Sequence, residues 1–188
     1  MCWHGAARRG TAKQGHGAEA PCPTWVGVDP AMSYQPGDYV AMHADPVWRT
    51  RSNFIFRVPI EGEGDERHWE QLWWERLSDT RFVLCCIPFF AHDLSLGDEV
   101  VVDANRSILR IPKPSGQWTY RVWFGDVAPD RREAALERIE TEGPIMEWSS
   151  ENLLALSVSA DKSQQFADVL ADMQTGGLLR YETGRTKA

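Results

Sequence analysis

The sequence predicts an α+β fold in two halves, and two patterns predict it. Between residues 53 and 118, five β-patterned runs follow one another with short connections. From residue 119 the order becomes β-α-β-β-α-β, with apolar periods alternating between 2 and 3.6. The first half predicts a small bent sheet or half-barrel. The second predicts the ferredoxin-like arrangement, four strands with both helices on one face. The expected division is a poorly ordered N-terminal extension over 1–50, a β-rich subdomain over 53–118 and a ferredoxin-like βαββαβ subdomain over 119–184, with the two halves packed together.

Residues 1–50 are rich in Gly, Ala and Pro and lack a sustained period, which predicts the disordered extension. Met32 and Met42 both read as plausible starts, and Arg8, Arg9 and Lys13 are too few to define a basic targeting arm. The first strand is "NFIFRVPI". "HWEQLWWERL" fits both periods, and its three tryptophans favour a strand. "RFVLCCI" is a continuous apolar strand over 81–87, and "DEVVVD" and "SILRI" form a hairpin around "ANR". "IEGEGDE" (60–66) reads as a solvated hairpin tip without EF-hand spacing.

In the second half, "TYRVWF" places Tyr120, Val122 and Phe124 on one face and Thr119, Arg121 and Trp123 on the other. A helix follows from Pro129, where a missing N–H costs nothing, to Glu142, stopped by "EGP". "PIMEW" and "NLLALSVS" are strands. A second helix is expected from a capping Asp161, with Gln164 completing a capping box. Phe166, Val169, Leu170 and Met173 give it one apolar face, "TGG" ends it, and "LLRYE" is the last strand. The open face of this sheet, with Arg121, Trp123, Leu153, Ala155 and Arg180, is expected to pack on the first half.

The net charge of −7 argues against nucleic acid, whose phosphates it repels. The third strand also lacks the aromatics of an RNA-recognition motif. No apolar run reaches the ~20 residues of a membrane span. Cys2, Cys22, Cys85 and Cys86 form no CxxC pair, and the five histidines form no ligand motif, so no metal or cofactor is expected. Unpaired cysteines suit a reducing cytoplasm.

"CIPFFAHDLSLGDEVVVD" (86–103) is the most distinctive run. Pro88 holds Ile87 extended, Phe89 and Phe90 supply an apolar plug, and Gly97-Asp98 marks a turn. His92 and Asp93 are adjacent in a loop, where side chains diverge, so they make a poor catalytic pair. No catalytic residue is assigned. Phe89, Phe90, His92, Asp93, Asp98, Arg121 and Trp123 are the candidate binding residues.

The order "LWWERLSDTRFVLCCIPFFAHDLSLGDEVVVD", "SGQWTYRVWF", "NLLALSVSA" and "LLRYETG" resembles a bacterial family, domain of unknown function 4265, over about residues 53–184. The resemblance implies an Ile/Val-Pro-Phe-Phe/Tyr segment, a later Gly-Asp pair and a Ser-Gly segment leading into a ferredoxin-like half. Gln117 stands where the family pattern leads one to expect a histidine. The resemblance implies no established activity.

The leading expectation is a non-enzymatic cytoplasmic protein that binds another protein, in one version as an immunity or antitoxin-type protein that masks a basic surface with acid. The second is a small-ligand sensor with a pocket between the halves, near Phe90, His92, Arg121 and Trp123. The third is a hydrolase using His92 or Asp98.

Overall fold

Thirteen elements are described in a computed structural model that covers residues 27–28, 39–61 and 67–185. In chain order they are β1 (Gly27–Val28), β2 (Tyr39–Met42), β3 (Phe54–Ile60), β4 (His68–Arg76), β5 (Arg81–Leu84), β6 (Glu99–Val102), β7 (Ile108–Lys113), β8 (Gln117–Trp123), α1 (Pro129–Thr141), β9 (Ile145–Trp148), β10 (Leu153–Ser159), α2 (Ser163–Thr175) and β11 (Arg180–Thr183). The fold is mixed α+β, with two sheets and two helices among the described residues.

The first sheet has the order β1-β3-β4-β5-β6-β7. The long β4 divides one of its edges. Antiparallel β5 pairs with its end, Trp74 to Arg76, and parallel β2 pairs with its start, His68 to Gln71. One phase of the alternation is apolar and meets the core, where Phe56 stacks on Trp74 at 4.4 Å and Phe54 and Phe82 lie edge-on nearby. Each such fully buried large side chain contributes roughly 1.5–3 kcal/mol.

The second sheet is antiparallel throughout, in the order β11-β8-β10-β9. Both helices lie on one of its faces, because Ala135 and Ile139 of α1 and Phe166, Leu170 and Met173 of α2 share a single core with Tyr120, Val122, Leu154 and Leu156. A third, smaller cluster of Ile87, Phe89, Leu96 and Ala155 joins the sheets. The open face of the second sheet therefore packs on the first half only in part: Arg121 and Ala155 are buried, Leu153 is half-buried, and Trp123 and Arg180, which were expected to be covered with them, stay exposed.

Three expectations need correction. The strand expected over 81–87 ends at Leu84: Cys85 and Cys86 stay in the core of the first sheet, and Ile87 turns into the junction between the sheets, where its amide meets Glu147. Asp161 does not cap α2. The helix begins at Ser163 after Lys162, without a side-chain cap. Within the extension expected over 1–50, the described residues join the first sheet: β1 pairs with β3, β2 pairs with β4, and His43 is buried. The start at Met32, the basic residues Arg8, Arg9 and Lys13, and 62–66 of the hairpin tip lie outside the described residues.

Candidate functional site

The open face of the second sheet is built in rows that run across its strands. Pairing places Glu147 (β9), Ala155 (β10), Arg121 (β8) and Glu182 (β11) in one row. The next row holds Ser149, Leu153, Trp123 and Arg180. The first row lies beneath the 87–91 loop, and the second stands beyond the edge of that loop.

Carboxylates hold the loop by its backbone. Glu147 accepts the amides of Ile87 (3.0 Å) and Val47 (3.3 Å). Glu70, from β4, accepts those of Phe89 (2.6 Å), Phe90 (3.1 Å) and Ala91 (2.6 Å). Three successive amides around one carboxylate form an anion-binding nest. Arg121 donates to the carbonyls of Pro88, at 3.3 Å, and Ala91, and its third bond goes to Glu182 at 2.8 Å. The Ile-Pro-Phe-Phe-Ala run is thereby gripped from both sheets.

His43 couples the two carboxylates. Its Nε2 bonds Glu70 at 2.9 Å and its Nδ1 bonds Glu147. Its ring stacks on Phe89 at 4.0 Å, and its carbonyl accepts from the Trp73 indole at 3.1 Å. Burial opposes a charge on the ring. The Cys86 sulfur and the bonds to Glu147 and Glu70 outweigh burial and hold the His43 pKa well above the usual 6.5. Burial likewise favours a protonated Glu70, but the charged His43 and the Ala91 and Phe89 amides lower its pKa. Burial raises the Cys86 thiol.

This cluster has groups suited to acid–base or nucleophilic chemistry, yet it is sealed. Glu70 and Cys86 are fully buried, and His43 and Glu147 are only 2% and 4% exposed. A protonated thiol with no path to solvent is no nucleophile. The arrangement positions the loop. Among the described residues, no group of three or more His, Cys, Asp and Glu is placed to hold a metal ion.

The structure separates the residues singled out from sequence. Phe89, Phe90, Arg121 and Trp123 line one open groove of about 580 Å³, with Ser149 and Arg180 at its ends. Phe89 is buried behind its wall, Phe90 is half-buried, and Trp123 is 47% exposed. His92 and Asp93 line a different cleft, of about 830 Å³, between β3 and β7. Asp93 adopts φ +59° and donates its amide to the Gly184 carbonyl at 2.7 Å. Asp98 is buried, and its carboxylate accepts the amides of Ser95 (2.8 Å) and Ser115 (2.7 Å), so it ties two loops together.

Sequence reasoning missed His43, Glu70 and Glu147. Glu70 did leave a signal: it shares the strand phase of Leu72 and Trp74, the buried face of β4. A carboxylate in that phase requires buried donors.

Comparison with known proteins adds the fold and the family. No curated protein matches the chain. A hypothetical protein from Neisseria gonorrhoeae, known from its crystal structure, is similar with a TM-score of 0.56 and 23% identity, over 68% of this chain and 91% of that one. That likeness concerns the fold alone. The family model for a domain of unknown function (DUF4265) matches residues 70–181, which take in Glu70, the gripped loop, Arg121, Trp123 and Glu147. The chain belongs to the DUF4265 family.

Proposed function

We propose that this chain is a non-enzymatic binding protein that engages a protein partner through the open groove beside the 87–91 loop. One observation carries the reading: Trp123, the large aromatic of the open face, stands 47% exposed beside Arg180 and Leu153 on a scaffold locked by buried charges. An exposed tryptophan next to an arginine, on a preorganised surface, is the composition of a binding hot spot. The groups able to do acid–base chemistry lie beneath it, out of reach.

The strand order β11-β8-β10-β9, with both helices on one face, supports a ferredoxin-like reading of 119–184 as one subdomain beside the strand-rich 53–118. Cys85 and Cys86 are buried as free thiols, which supports a reducing cytoplasmic setting. The net charge of −7 supports a partner other than nucleic acid. No described helix is long and apolar enough to cross a membrane. An immunity-type role remains one version of this reading.

The test is retention of partner proteins from source-cell lysate on the immobilised chain. A stoichiometric partner retained by the wild type and lost with Trp123→Ala supports the reading. Retention that is insensitive to Trp123→Ala removes the groove from it. A second reading, a small-ligand sensor, is favoured by the cleft between β3 and β7, whose volume of about 830 Å³ lies in the range of ligand pockets. Native mass spectrometry of the purified chain tests it by a bound mass.

A further inference from the structure

The uncovered row has a chemistry that selects its occupant. We propose, on the basis of the protein-binding reading above, that the groove recognises an extended peptide segment with an apolar side chain and, two residues away, a single carboxylate. Leu153, Trp123 and Arg180 lie side by side on β10, β8 and β11. Neighbouring strands are about 4.8 Å apart, so the three positions span roughly 10 Å. In an extended peptide, residues i and i+2 point the same way and lie about 6.6 Å apart. That spacing matches the distance from the Leu153–Trp123 seat to Arg180.

Each end of the row has its own preference. The half-buried Leu153 and Phe90 and the exposed face of Trp123 form a seat for an apolar side chain. At the other end, Arg180 is exposed, and its side chain makes no ion pair or hydrogen bond among the described residues. The second arginine of the groove differs: Arg121 is 3% exposed and already bonded to Glu182 and the loop carbonyls. Arg180 is therefore the free cation, and its planar fork fits a carboxylate. The overall charge of −7 disfavours a multiply charged anion at the same place.

The test uses two blocked synthetic peptides, Ala-Leu-Ser-Glu-Ala and Ala-Leu-Ser-Lys-Ala, titrated into the full chain while the Trp123 indole N–H resonance is followed. The glutamate peptide is expected to bind at least ten-fold more tightly, and Arg180→Glu to reverse the order. Arg180 is exposed, so this change leaves the fold intact, which unchanged dispersion of the remaining resonances verifies. Equal binding of the two peptides, no shift by either, or no effect of Arg180→Glu overturns the acid requirement. If a lysate partner is still lost with Trp123→Ala in that case, the protein-binding reading stands without it. A dimer in sedimentation that dissolves with Trp123→Ala assigns the groove to a second copy and overturns the proposal.

Discussion

Glu70 Oε1 accepts from His43 Nε2 at 2.9 Å, while the two oxygens of the same carboxylate take the amides of Phe89, Phe90 and Ala91. One buried carboxylate thus joins the segment after β2 to the loop that walls the groove. Breaking a buried charge pair by removing one partner costs about 3–5 kcal/mol, because the other charge is left uncompensated. Glu70→Ala is expected to destabilise by that order in urea unfolding and to accelerate hydrogen exchange of the three loop amides. Glu70→Gln keeps an acceptor oxygen and is expected to cost less.

The same pair sets a pH window. The folded-state pKa of His43 is raised, so its contribution is complete below 6.5 and is lost as pH rises toward and through the folded value. The pKa of Glu70 is lowered, so its contribution is complete above 4.5 and is lost as pH falls toward and through its folded value. Stability is therefore expected to be greatest between about pH 4.5 and 6.5 and to decline on the alkaline side. His43→Gln should lower the plateau and flatten the alkaline limb in a series of melts.

Gly97 shows why a glycine precedes Asp98. Its φ is +83°, and an added Cβ would lie 3.1 Å from both the Ser115 Cβ and the Trp48 ring. Gly97→Ala is expected to cost about 1–3 kcal/mol, from backbone strain and the displaced indole. Chemical denaturation measures it, and a loss under about 0.5 kcal/mol would show that the turn relaxes freely.

Burial pushes the Cys85 thiol up to about 12 and raises Cys86 as well. In a Cys2→Ser/Cys22→Ser background, neither thiol should react with a disulfide reagent until the chain unfolds. Rapid labelling at neutral pH in native buffer would contradict the sealed junction.

Trp123→Ala removes an exposed ring from the open row. Stability should change by no more than about 0.5 kcal/mol, as for surface changes in general, while partner retention falls. A melting shift of several degrees would instead make Trp123 a structural residue.

Local pattern was enough for most elements. Alternation placed the strands from β3 to β11, Pro129 opened α1, and the faces of β8 followed from Tyr120, Val122 and Phe124. These features depend on neighbours within a few residues, and a period of 2 or 3.6 records them. The end of β5 and the start of α2 did not follow. The amide of Ile87 leaves the sheet for Glu147, 60 residues away, and α2 opens at Ser163 after Lys162 with no side-chain cap.

The gripped loop is the clearest division between the two kinds of information. Its apolar anchors, Phe89 and Phe90, and the Gly97-Asp98 turn that follows it were legible, since proline, aromatics and glycine announce themselves locally. Its partners His43 and Glu147 were not. His43 and Glu147 are 104 positions apart, and only the docking of the second sheet on the first brings them within bonding distance. A buried charge is tolerated only where opposite charges and donors converge, and such convergence belongs to three dimensions.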